Sequence, residues 1–210
     1  MVTALLRLGR HAPERFFHPW RRRSARAEMA SRDVPGSVLV ICYGNICRSP
    51  FAAAVLQARL AGTGVRVESA GFFGPGRPSP VDAIDAARRR HQDLHAHRAR
   101  LITLDLVRAA DLLIVMDAAQ RNTIRDRFGR DRRDVLLLGD FDPLPIKTRA
   151  IRDPVDGPPA LYDEVYARID RCATALAGAI KRDAGAQRSP GPGLGLLQRR
   201  SEPPRRHDSL

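Results

Sequence analysis

The sequence predicts an α/β fold in three layers, a four-stranded parallel sheet with helices on both faces. Three observations carry this. Four short apolar runs occur, each of the length and continuity of a strand buried on both sides. Stretches rich in helix formers lie between them. Gly and Pro clusters punctuate the joins.

Taken in order, Val38-Leu39-Val40-Ile41-Cys42 is the first such run. A polar loop follows, and Pro50 suits the first turn of a helix. Ala52 to Ala61 is rich in helix formers and stops at Gly62, a suitable cap. Val65 to Gly71 reads as the second strand, and a Gly/Pro-rich loop runs from Gly71 to Pro80. Val81 to Arg90 reads as a helix, with Val81, Ile84 and Ala87 spaced by three. Asp111 to Met116 is the third strand, followed by a helix from about Ala118 to Phe128. Val135 to Leu138 is the fourth strand, ended by Gly139. Leu161 to Arg182 closes the domain as a helix whose Val165, Ile169, Cys172 and Leu176 recur at four and three.

The chain has 210 residues and a formal charge of +13. At first sight such a balance points to nucleic acid. Most of it sits at the ends. Residues 1–33 hold eight Arg and three acids, and residues 184–210 hold five Arg and two acids. The expected organisation is therefore a folded domain over 34–183 between two basic, unstructured extensions. In the first extension Arg21-Arg22-Arg23 stands beside Phe16, Phe17 and Trp20, a pattern open to anionic lipid or nucleic acid. Met29 is an alternative start. No run of 18 apolar residues suggests a membrane-spanning helix. Three cysteines are too few for a disulfide framework and point to a reducing, cytoplasmic setting.

The segment that carries chemistry is Cys42-Tyr43-Gly44-Asn45-Ile46-Cys47-Arg48-Ser49-Pro50. It has a Cys, five residues, then Arg and Ser, between a strand and a helix. A loop curling into a helix N-terminus aims successive N–H groups at one point, and the helix dipole adds positive potential. Gly44 is expected to give the backbone its unusual dihedrals. Arg48 can grip two oxygens of a phosphate at once. The same field favours the nucleophilic thiolate form of a cysteine placed there, and Ser49 can donate a hydrogen bond to it.

This segment resembles the signature loop of the low-molecular-weight protein tyrosine phosphatases. Glu68-Ser69-Ala70-Gly71, Asp93 to Arg100 and Ala110 to Asp117 are similar to further motifs of that family, so the likeness spans about Val38 to Ile180. The resemblance implies hydrolysis of phosphotyrosine on proteins in two steps, with no cofactor. Cys42 attacks phosphorus to form a phosphocysteine, and water then releases phosphate. Tyr43 to Ser49 cradle the phosphate and Arg48 clamps it. An Asp-Pro pair supplies the general acid, which makes Asp153 of Asp153-Pro154 the candidate, with Asp142-Pro143 as competitor. His97 and Asp117 align with supporting residues. The partner implied is a phosphotyrosine-containing protein, with a bacterial tyrosine kinase as one candidate.

One departure is Val155, which stands where the family has an aromatic wall. Phe72 and Phe73 are the substitutes, with Tyr43 at the mouth. Cys47 has two readings, a bystander in the loop or the partner of Cys42 in a reversible disulfide. A zinc site from His91, His95, His97, Cys42 and Cys47 fits no usual spacing. Arsenate reduction would need a further cysteine pair between Cys47 and Cys172, where there is none. Related phosphatases of phosphoarginine carry Thr where Ile46 stands. A non-catalytic phosphate-binding module with nucleic-acid-binding ends is the alternative of another class.

Overall fold

A computed structural model describes residues 2–188, and the side chains of 16–181. The four apolar runs form strands β1 (Ser37–Cys42), β2 (Arg66–Gly71), β3 (Leu112–Val115) and β4 (Val135–Leu137). All pairs are parallel, in the order β2-β1-β3-β4. The helices are α1 (Val2–Ala30), α2 (Arg48–Arg59), α3 (Val81–Arg88), α4 (Leu104–Ala109), α5 (Ala118–Phe128) and α6 (Pro159–Arg188).

The strand side chains divide by parity, as a pleated sheet requires. Val38, Val40, Cys42, Leu112 and Ile114 join Phe51, Leu56, Ile169 and Leu176 in one core cluster, beneath α2 and α6. Leu39, Ile41, Leu113, Val115, Val135 and Leu137 face the other way and pack with Val107 of α4 and Ile124 of α5. Two covered faces explain why these strands read as unbroken apolar runs. The chain leaves β1 first to β2 on one side and later to β3 on the other. A crevice therefore opens beyond the carboxyl end of β1, where ligands bind in such sheets. Cys42 is the last residue of β1.

Several expectations are corrected. Residues 2–30 are helical, where an unstructured extension was expected. His18, Ala25 and Met29, spaced by seven and four, form a buried stripe along α1, and Ala25 and Met29 enter the main core cluster. Pro13 and Pro19 lie within this helix without ending it. Arg22 donates to the Pro143 carbonyl (3.0 Å) and Arg32 to that of Arg133 (2.6 Å). Phe16 and Trp20 face outward. At the other end α6 continues to Arg188, and the rest of the tail, 189–210, lies outside the described residues. In α3 the buried residues are Ala83, Ala86 and Ala87, while Val81 is exposed. Helix α4, capped by the Thr103 side chain, was not anticipated. Among the described residues no helix is long and apolar enough to cross a membrane.

Candidate active site

The loop from Cys42 to Ser49 joins β1 to α2. Its shape is set by Asn45, which is fully buried and has φ of 50°. The left-handed residue is thus Asn45 and not Gly44, a correction with a physical reason. Asn tolerates this region when its side chain is satisfied locally. Here Asn45 Nδ2 donates to Ser49 Oγ (2.9 Å) and Ser69 Oγ (2.9 Å). Its Oδ1 accepts from the Arg100 N–H (2.8 Å). Its carbonyl lies 2.7 Å from His97 Nε2, which must donate to it. Gly71, at the end of β2, passes so close that an added Cβ would meet the Tyr43 carbonyl oxygen at 2.7 Å and the Asn45 nitrogen at 2.8 Å. A side chain there would push the loop out of shape.

Cys42 is buried, with its sulfur 3.0 Å from Ser49 Oγ. Cys47 occupies the N-cap of α2 without a side-chain capping bond, so the first-turn N–H groups have no side-chain competitor. Tyr166 donates from its hydroxyl to the Cys47 carbonyl (3.0 Å), and its ring stacks on Phe51 at 4.0 Å. Burial pushes the Cys47 thiol well above its ordinary value, with the neighbouring Cys42 and Asp153 adding to the shift. Cys47 is therefore held as a neutral thiol, and both it and Cys42 are free.

Arg48 is 3% exposed. Its Nη1 donates to the Ile151 carbonyl (3.2 Å), and its Nη2 pairs closely with Asp153. Among the described residues its Nε is buried without a hydrogen-bond partner, a donor left unmade. The segment bearing Asp153 is tied to the sheet where the Ile151 N–H meets the Met116 carbonyl (2.9 Å). Asp153 itself is 41% exposed on its side chain, and its other oxygen accepts from the Val155 N–H (3.3 Å).

The second Asp-Pro pair has a different setting. Asp142 has no exposed side-chain surface and takes Arg171 in a fork (2.7 and 2.9 Å) and Arg168 at 3.0 Å. Burial alone would raise its carboxyl, but the hydrogen bonds from Arg171 and the Leu144 N–H, with the charge of Arg168, outweigh that and hold it below its ordinary value. Asp142 is thus a fixed anion that staples its loop to α6.

A cavity of about 110 Å³ gathers Cys42, Arg48 and Asp153, together with Tyr43, Gly44, Ile46, Cys47, Phe73, Arg77 and Val155. Of the two expected aromatic walls, only Phe73 lines it. Phe72 packs against the core and meets the Tyr43 ring at 5.9 Å. Arg77 was not anticipated. It crosses the Phe73 ring at 5.3 Å and donates to the carbonyls of Gly74 and Gly44. Its only sequence signal is a cation in a Gly/Pro loop. Asp117 caps α5, accepting from the Gln120 N–H (2.8 Å) and side chain (2.9 Å), so its hydrogen bonds brace the turn after β3. Among the described residues no cluster of His, Cys, Asp or Glu has the form of a metal site.

A doubly covered parallel sheet thus carries a cysteine and a buried arginine in one strand-to-helix loop, and the relatives that share this chain's sequence make it an enzyme of phosphoryl chemistry, a phosphoric monoester hydrolase of the protein-tyrosine-phosphatase class. Residues 37–186 match the low molecular weight phosphotyrosine protein phosphatase family, and the chain belongs to it. A protein of Ralstonia nicotianae named "Probable low molecular weight protein-tyrosine-phosphatase EpsP" is 40% identical over 107 residues, 50% of this chain and 72% of that one. The protein-arginine-phosphatase of Bacillus subtilis is 30% identical over 149 residues, 70% of this chain and 97% of its own. The crystal structure of the Erwinia amylovora tyrosine phosphatase AmsI superposes with a TM-score of 0.63 at 28% identity, covering 69% of this chain and 93% of that one.

Proposed function

We propose that the protein hydrolyses phosphotyrosine on other proteins through a phosphocysteine on Cys42. The observation that carries this is the convergence of Cys42, Arg48 and Asp153 on one cavity. A phosphate entering it meets the open N–H groups of α2 and the unpartnered Nε of Arg48. In taking the Arg48 charge it releases the Asp153 carboxyl toward the leaving oxygen. The Cys42 sulfur then attacks phosphorus, the P–O bond breaks, and Asp153 gives its proton to the phenolic oxygen. Water next attacks phosphorus, returns a proton to Asp153 and frees the thiolate. The loop N–H groups and Arg48 stabilise the charge on the equatorial oxygens throughout. Asp153 rather than Asp142 is the acid, because a proton donor must reach the cavity and Asp142 is engaged by two arginines of α6. His97 and Asn45 hold the loop in shape.

Apolar Ile46 and the Phe73 ring in the cavity wall favour an aryl phosphate over phosphoarginine. A reducing compartment suits a mechanism that needs Cys42 as a free thiol. The substrate class is a phosphotyrosine protein, a bacterial tyrosine kinase among the candidates. Hydrolysis of an aryl phosphate and of phosphotyrosine and phosphoarginine peptides tests the reading. The wild type is expected to turn over the first two far faster than the third, and Cys42→Ser to lose on the order of 10⁴-fold or more. Preference for phosphoarginine, or full activity in Cys42→Ser, contradicts it.

A further inference from the structure

A second, larger cavity of about 170 Å³ lies between α1, β4 and α5, away from Cys42. Its charged lining is Arg21, Arg121, Arg132 and Arg149 against Glu28 and Asp140. The acids do not balance the arginines. Asp140 is taken up by Arg149 through two hydrogen bonds, and Glu28 pairs with Arg32 at 3.6 Å. Among the described residues Arg21, Arg121 and Arg132 make no ion pair with a carboxylate. Arg21 Nη1 is buried with no hydrogen-bond partner. Burial, then the like charges of Arg132 and Arg149, disfavour the charged form of Arg121, and Asp140 and Glu28 oppose that shift. Gathering guanidinium groups around a half-open, partly buried cavity favours an anion that joins them.

We propose that this cavity is a second oxyanion site, filled by free inorganic phosphate. Guanidinium forks match phosphate oxygens in pairs. The space, about 170 Å³, is ample for a tetrahedral oxyanion. Five of its twelve lining residues come from α1, which precedes the segment 37–186 that matches the family. The cavity is linked to the active site along the chain. Arg149 lies two residues before Ile151, whose carbonyl holds Arg48. An anion that draws Arg149 from Asp140 therefore pulls on the segment that carries Asp153.

Equilibrium dialysis of the full chain against inorganic phosphate tests this. Arg48→Ala, which weakens the active-site clamp, is expected to retain one phosphate per chain. Adding Arg121→Gln and Arg132→Gln to it is expected to weaken that phosphate at least tenfold, and Glu28→Gln, which removes a competing negative charge, to tighten it several-fold. In anion-free buffer the Arg121→Gln, Arg132→Gln protein should melt close to the wild type, since the repulsion it loses is offset by lost attraction to Asp140 and Glu28. Unchanged binding in the arginine variants overturns the proposal. So does a lower melting point without anion, which would make those arginines structural. Neither outcome depends on the chemistry proposed for Cys42.

Discussion

The two loops that meet over the cavity are held in opposite ways. The loop from Cys42 to Ser49 is short, buried and locked from within, since Asn45 alone bonds Ser49, Ser69 and Arg100 and takes His97 on its carbonyl. The segment from Gly139 to Val155 is longer and held from outside. Arg149 grips Asp140, Arg168 and Arg171 grip Asp142, and Arg168 also takes the carbonyls of Thr148 and Ala150. Among the described residues its one exposed carboxylate, Asp153, has only Arg48 and a backbone N–H for partners. The difference matches the demands on each. Donors aimed at a phosphate gain by not moving. A general acid must leave one partner and reach another.

Exchanging the two Asp-Pro pairs by mutation breaks the comparison most sharply. Asp153→Ala is expected to lower turnover of an aryl phosphate by on the order of 10²–10⁴-fold. Its melting point should fall less than that of Asp142→Ala, because Asp153 is 41% exposed beside a cavity and holds one arginine, whereas Asp142 is fully buried and holds two. Asp142→Ala should do the reverse. It strands two arginines beside a buried site, and denaturant melts should show a loss of about 3–5 kcal/mol. An unstable Asp153→Ala with normal turnover would reverse the assignment.

Asn45→Ala asks whether the first loop is locked from within. It removes three side-chain hydrogen bonds and leaves Ala in the left-handed region. A stability loss of about 2–3 kcal/mol is expected, with KM for phosphate esters raised, read by melts and kinetics together. A change in kcat alone would count against a shaping role.

The fold was legible where burial is written in contiguous residues. Val38 to Cys42 and Asp111 to Met116 announce doubly covered strands, and Cys42 to Ser49 announces the loop between strand and helix. Other features depend on partners far along the chain. Asp142 and Asp153 both precede proline, and only Arg168 and Arg171, well downstream, set them apart. The stripe of His18, Ala25 and Met29 is diluted by prolines and arginines, so its helix was missed. Asn45 was read as part of the phosphate cradle, but its left-handed φ is a property of the packed loop, fixed by Ser69 and Arg100 from elsewhere. Arg77 reached the cavity through a turn that composition does not specify.

A smaller effect comes from His97. Burial, with Arg98 adding to it, lowers its value below 6.5, although the Asn45 carbonyl opposes the shift. The folded chain thus binds fewer protons there than the unfolded one below about pH 6.5. Stability is complete above that value and falls as pH drops through it toward the folded value. His18 shifts in the same direction through burial, with Asp142 and Asp140 opposing. Chemical melts across this window should show the wild type losing stability on acidification and His97→Gln losing less of it. An identical pH slope would remove His97 from the lock. The smallest effect is expected from Tyr166→Phe, which deletes the bond to the Cys47 carbonyl and should cost about 1 kcal/mol, or up to about 3 if the carbonyl stays unpaired.

The central claim is that phosphate passes through Cys42, and acid quenching tests it most directly. Asp153→Asn, mixed with an aryl phosphate and stopped within one turnover, is examined by peptide mass mapping. The account predicts one phosphoryl group on the peptide carrying Cys42, and none in the same experiment on Cys42→Ser. A phosphoryl group on another residue, or phosphate released with no covalent intermediate in any quench, would contradict it.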